Sequence, residues 1–135
     1  MTKKTVLFIC IGNSGRSQMA EAFFEPISRL WNTVSAGIRP DKKIRPLTIE
    51  VLKSVRIDVS QRNPKPLTNR MLRDANLIIA MDSYVLSKMP RKHLLKTQNW
   101  KITSLLGKQP EQVRQIRDQT SRKVERLSKE LSSQP

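Results

Sequence analysis

Cys10, the only cysteine of the chain, and Arg16 stand in Cys-x5-Arg spacing within Val6-Leu7-Phe8-Ile9-Cys10-Ile11-Gly12-Asn13-Ser14-Gly15-Arg16-Ser17. An apolar strand, a glycine-containing loop and a helix start follow one another in that stretch. Such a loop wraps a tetrahedral oxyanion: backbone N–H groups point inward, the helix presents its positive N-terminus, and the guanidinium offers a planar fork to two oxygens. A thiol beneath the anion site sits in an electropositive field that favours the nucleophilic thiolate. The chemistry this predicts is attack of sulfur on a bound phosphorus or arsenic. Gly12 and Gly15, two of only four glycines, fall inside the loop, where backbone must curl and approach a ligand closely. Ser17 follows the arginine, placed to hydrogen-bond the thiolate from the first helical turn. The competing reading is a buried, inert cysteine at the end of a core strand. A nucleoside-triphosphate loop is excluded, because no Gly-Lys-Ser/Thr is present.

The elements that must hold these residues read as alternating strands and helices. Thr5 to Ile9 is an apolar run typical of a buried parallel strand. Ser17 to Trp31 carries Met19, Ala22, Phe23, Ile27 and Leu30 at helical spacing, with Pro26 kinking or dividing the helix. Thr33 to Ser35 reads as a strand, Leu47 to Val55 as a helix behind Pro46, and Leu67 to Asp74 as a short helix. Leu77 to Met81 is the clearest strand, Tyr84 to Lys88 a helical turn, and Trp100 to Thr103 a last strand. Glu111 to Leu131 is a long amphipathic helix with Val113, Ile116, Val124, Leu127 and Leu131 near one face. This alternation predicts an α/β fold with a parallel sheet covered on both faces. Ligands of such sheets bind at the carboxyl ends of strands, where Cys10 lies. Residues 1–131 read as a single domain and 132–135 as a frayed tail.

The segment Cys10 to Ser17 resembles the phosphate loop of the low-molecular-weight protein tyrosine phosphatases and of their relatives, the thioredoxin-coupled arsenate reductases. The similarity continues through Gln18 to Phe23, Ser35-Ala36-Gly37, Ile57 to Ser60, Lys65 to Thr68, Ala75 to Asp82 and Val113 to Asp118, in order and over nearly the whole chain. It implies a four-stranded parallel sheet in the order 2-1-3-4 with helices on both faces, the flavodoxin-like phosphatase fold. It also implies two displacements through a Cys10 thiophosphate intermediate. Carried over by matched positions, Cys10 is the nucleophile and Ile11, Gly12, Asn13, Ser14, Gly15 and Arg16 hold the phosphate. Asn13 then braces the loop and Ser17 supports the thiolate. Their plainer alternatives are a left-handed turn residue and a helix cap.

Two departures from the family pattern bear on rate and substrate. The family's general acid is an Asp-Pro shortly after the last strand, yet Trp100-Lys101-Ile102-Thr103 leads into Ser104-Leu105-Leu106, which puts Ser104 at the expected position. Loss of general acid catalysis costs about 10²–10⁴ in rate. Asp82, after the third strand, is the substitute candidate, against its reading as a helix N-cap. The aromatic clamp on a phenyl ring is also missing, and Tyr84 is the one nearby aromatic candidate.

Ser14 and Arg16 to Glu21 look more like the arsenate reductase branch. That mechanism needs two further cysteines after the third strand, and Met81 to Pro90 contains none, so no internal disulfide relay forms. Arsenate reduction would then use an external thiol. A third reading is a phosphate- or phosphoprotein-binding module with little turnover. The branch's monovalent cation site near Asn13, Glu21 and Ser35 is expected to be filled by the Lys65 ammonium instead. No cofactor and no metal are expected, since the chain has one His (His93) and one Cys.

At 135 residues the chain carries 26 Lys and Arg against 11 Asp and Glu, a net charge of +15. Such a balance attracts anions, here a phosphorylated protein or a small oxyanion such as phosphate or arsenate, and an acidic partner. No aromatic-interleaved basic motif reads nucleic acid. Lys108, Arg114, Arg122, Arg126 and Lys129 read as a solvated face. With neither a membrane-spanning run nor a secretory signal pattern, the expected location is the cytoplasm.

Overall fold

The run Thr-Val-Leu-Phe-Ile-Cys folds as the most buried strand of the sheet, and every other element is arranged around it. The computed structural model describes residues 3–133. In chain order these residues form β1 (Lys4–Cys10), α1 (Arg16–Phe24), β2 (Trp31–Gly37), α2 (Pro46–Lys53), α3 (Asn69–Asp74), β3 (Leu77–Ala80), α4 (Ser83–Ser87), a 3₁₀ helix (Arg91–Lys96), β4 (Thr97–Asn99) and α5 (Pro110–Ser132). All strand pairs are parallel and the order is β2-β1-β3-β4, the order that the resemblance implies.

The pleat of β1 divides the core. Val6, Phe8 and Cys10 face one layer, with Met19 and Phe24 of α1, Leu52 of α2, and Val113, Ile116, Val124 and Leu127 of α5. Leu7 and Ile9 face the other, with Leu72 of α3, Val85 of α4 and Met89. Phe8 meets Phe24 edge-on at 5.9 Å and Trp100 at 5.5 Å between ring centres. Cys10 ends β1 opposite Gly37 of β2, which places the thiol at the carboxyl edge of the sheet.

Two elements differ from the sequence expectation. The first helix stops at Phe24 rather than reaching Trp31: Pro26 cannot continue it, and Ile27 and Leu30 are left exposed while Trp31 opens β2. The last strand is Thr97–Asn99, not Trp100 to Thr103. Lys101 adopts a left-handed φ of 52° that breaks the extended run, although Trp100 N–H still donates to the Ala80 carbonyl and Ile102 N–H to that of Met81. Of the expected tail 132–135, Ser132 is the last residue of α5 and Ser133 its C-cap, while residues 134 and 135 lie outside the described residues. No helix of the described residues is long and apolar enough to cross a membrane.

Candidate active site

The segment between β1 and α1 makes a cradle at the sheet edge. Its floor is Cys10 to Gly12 and Ser14 to Arg16, its walls are Asp41 and Arg45 on one side and Ser104, Leu105 and Leu106 on the other, and the cavity measures about 220 Å³. The free Cys10 thiol is buried. Its Sγ lies 2.8 Å from Ser17 Oγ and accepts the Asn13 N–H at 3.1 Å. A backbone donor and a hydroxyl therefore meet at the sulfur. Backbone bends around the sulfur because Asn13 takes φ 51°, a left-handed conformation that asparagine tolerates.

Asn13 sits behind the cradle rather than lining it. Its Nδ2 donates to Ser17 Oγ at 2.7 Å and Ser35 Oγ at 3.0 Å, and its Oδ1 accepts from Lys65 N–H at 2.8 Å and Gln18 Nε2 at 3.1 Å. One side chain thus ties the loop to α1, β2 and the segment before α3. Gly37 packs directly on the loop backbone: a Cβ there would meet the Ile11 carbonyl oxygen at 2.8 Å and the Asn13 nitrogen at 2.9 Å. Backbone cannot yield there as a side chain can.

Arg16 is nearly buried and is held from behind. Its Nη1 pairs with Asp82 Oδ2 at 2.9 Å and donates to the Ile102 carbonyl at 2.9 Å, while the residue lines the cradle. Asp82 is committed through both oxygens, because Oδ1 accepts the Val85 N–H at 2.9 Å and caps α4. This geometry makes Asp82 an orienter of Arg16 and a helix cap, and it is not among the residues that line the cradle. Ser104 does line the cradle, where its Oγ accepts the Leu106 N–H at 3.2 Å. Tyr84 is not part of the cradle; it is exposed, with the Lys88 ammonium 5.3 Å from its ring centre. The apolar wall is Leu105 and Leu106.

Glu21 is buried behind the loop, accepting from Ser35 Oγ at 2.7 Å. Lys65 Nζ stands 3.8 Å from its Oε1, and Arg62 Nη1 stands 3.4 Å from the same oxygen. Lys65 is therefore near the carboxylate as its sequence position suggested, but Arg62, which the sequence reading did not single out, is closer. No cluster of three or more His, Cys, Asp or Glu side chains capable of holding a metal occurs among the described residues.

Asp41 and Arg45 are the cradle residues that sequence reasoning missed. Their signal is only positional, a segment following Ser35-Ala36-Gly37, and the contact is made by backbone and, at Asp41, by the carboxylate that accepts from Ser14 Oγ. Ile38, Arg39, Asp41 and Arg45 N–H groups donate to the carbonyls of Cys10, Ile11, Gly12 and Ser14 at 2.9–3.2 Å.

Residues 5–134 match the model of the family described as low molecular weight phosphotyrosine protein phosphatase. An arsenate reductase of Staphylococcus aureus is 35% identical over 127 residues, spanning 93% of this chain and 96% of that protein. Arsenate reductase 2 of Staphylococcus saprophyticus is 34% identical over 129 residues, covering 94% and 98%. Among solved structures, a YwlE mutant from Bacillus subtilis superposes with a TM-score of 0.89 at 24% identity, covering 97% of this chain and all of that one. A low molecular weight protein tyrosine phosphatase from T. tengcongensis gives 0.84 at 25% identity, covering 95% and 99%. The chain belongs to the low molecular weight phosphotyrosine protein phosphatase family.

Proposed function

We propose that this protein hydrolyses phosphomonoesters, of the protein phosphotyrosine type, through a Cys10 thiophosphate. The observation that carries the reading is the buried sulfur on the cradle floor with Ser17 Oγ at 2.8 Å and the Asn13 N–H at 3.1 Å, beside an arginine fixed by Asp82. The Cys10 thiolate attacks phosphorus, the loop N–H groups and Arg16 hold the equatorial oxygens, and the leaving alcohol departs. Water then attacks the thiophosphate and releases phosphate and the thiolate. Ile11, Gly12, Ser14 and Gly15 supply the amide lining of the cradle; Ser17 and Asn13 steady the sulfur. Because the apolar wall is leucine rather than aromatic, grip on the substrate comes mainly from its phosphate.

The test is rapid-quench trapping of a phosphoenzyme from a phosphotyrosyl peptide or an aryl phosphate. Wild type should accumulate label on Cys10, and Cys10→Ser should lose turnover. Turnover that survives in Cys10→Ser defeats the reading.

A second reading is favoured by one observation, the arsenate reductase relatives at 34–35% identity. Arsenate bonded to Cys10 would be reduced when an external thiol attacks Sγ, expelling arsenite and leaving a mixed disulfide that a second thiol reduces. Cys10-dependent arsenite release with glutathione supplied, in the absence of phosphatase turnover, would establish it. Either chemistry needs a free thiol, which suits the reducing cytoplasm, and the basic surface suits an acidic phosphoprotein as substrate.

A further inference from the structure

The cradle has Ser104 where an acid is expected and Asp82 does not line it, yet a carboxylate stands in its wall. Asp41 is that group. Its backbone N–H donates to the Gly12 carbonyl at 2.9 Å, so the residue is strapped to the phosphate loop. Its Oδ2 accepts from Ser14 Oγ at 2.5 Å. The carboxylate lies so close over the loop that a Cβ on Gly12 would come within 2.4 Å of Oδ2. Glycine at position 12 is what admits it. Asp41 Oδ1 has no hydrogen-bond or ion-pair partner among the described residues, whereas both oxygens of Asp82 are engaged. Among the described residues lining the cradle, Asp41 is the only carboxylate.

We propose that Asp41 is the proton donor for the leaving group, a role moved from the loop after the last strand to the segment between β2 and α2. The proposal rests on the phosphatase reading above. In the first displacement the Cys10 S–P bond forms and the bond from phosphorus to the leaving oxygen breaks, the electron pair going to that oxygen. The leaving oxygen takes the proton of the Asp41 carboxyl, held on Oδ1 while Ser14 fixes Oδ2. In the second displacement the Asp41 carboxylate takes a proton from water as its oxygen attacks phosphorus and the Cys10 thiolate leaves. The carboxyl is then restored. A donor strapped to the phosphate loop through its backbone N–H and through Ser14 has the defined position that proton transfer requires.

The experiment measures kcat/KM across an aryl phosphate series from 2,4-dinitrophenyl to phenyl phosphate, for wild type, Asp41→Asn and Cys10→Ser, with inhibition by inorganic phosphate as a folding and binding check. Asparagine keeps the shape and the acceptor for Ser14 but carries no transferable proton. The expected result is a loss in Asp41→Asn that grows along the series, reaching about 10²-fold or more for phenyl phosphate, with phosphate inhibition retained. Parallel dependences in wild type and Asp41→Asn overturn the proposal. So does a uniform loss accompanied by weakened phosphate inhibition, which would make Asp41 a brace of the loop. Absence of Cys10-dependent turnover in wild type overturns the phosphatase reading itself, and Asp41 with it.

Discussion

At the scale of single residues, the site is governed by how completely Asn13 is used. Two donors and one acceptor atom on its side chain serve Ser17, Ser35, Lys65 and Gln18, and its backbone N–H serves Cys10. Left-handed backbone and side-chain bracing are separable contributions at this position, and Asn13→Gly separates them. Glycine adopts φ 51° freely but leaves the Lys65 N–H and the Ser17 and Ser35 hydroxyls short of a buried partner. The expected cost is about 1–3 kcal/mol of stability, read by urea denaturation, with a larger fall in kcat than the stability loss accounts for. If Asn13→Gly keeps wild-type kcat, the backbone conformation alone organises the sulfur and the side chain is merely structural. The sequence made Cys10, Arg16, Ser17 and Asn13 legible because they fall within one contiguous loop. Asp41 was not legible, since its place depends on a carboxylate crossing onto Gly12 from another loop.

At the scale of elements, apolar runs and proline positions told most of the story. The buried run of β1, Pro46 at the start of α2 and the apolar face of α5 each appear where the sequence put them, within a residue or two. The failures share a cause, which is a local backbone break inside a run of apolar residues, at Pro26 and at Lys101. Ile27 and Leu30 continued a helical spacing that Pro26 had already ended, and the Trp100–Ile102 stretch is anchored by buried side chains without forming a ladder strand. Between elements, Glu21 of α1 meets Arg62 and Lys65 from the segment before α3, so two fixed cations already face its carboxylate. Turnover should therefore be indifferent to exchanging sodium for potassium at constant ionic strength. Lys65→Met should cost under about 1 kcal/mol, because the pair is long and partly exposed and Arg62 remains. A marked rise in wild-type rate on adding potassium would show that these side chains do not occupy the role of an ion.

At the scale of the whole molecule, the surplus of basic residues is the feature that local structure does not use up. Arg114, Arg122, Arg126 and Lys129 lie exposed along α5, while Arg39, Lys42 and Lys43 are exposed on the segment that carries Asp41 beside the cradle. With a net charge of +15, the field around the cradle is positive at long range even though its wall includes a carboxylate. Raising ionic strength from 0.01 to 0.15 M shortens the screening length from about 30 Å to about 8 Å, removing most of that field from an approaching substrate. The expected outcome is a fall in kcat/KM with salt at nearly constant kcat, steeper for a phosphopeptide with acidic flanks than for an aryl phosphate. The steeper slope follows because only the peptide is long enough to meet both the cradle and the lysines and arginines around it. Reversing charge at Lys42 and Lys43 to glutamate should flatten the peptide's salt dependence and leave that of the aryl phosphate closer to wild type. If both substrates show the same weak slope in wild type, the basic excess is a solvated surface with no part in choosing the substrate.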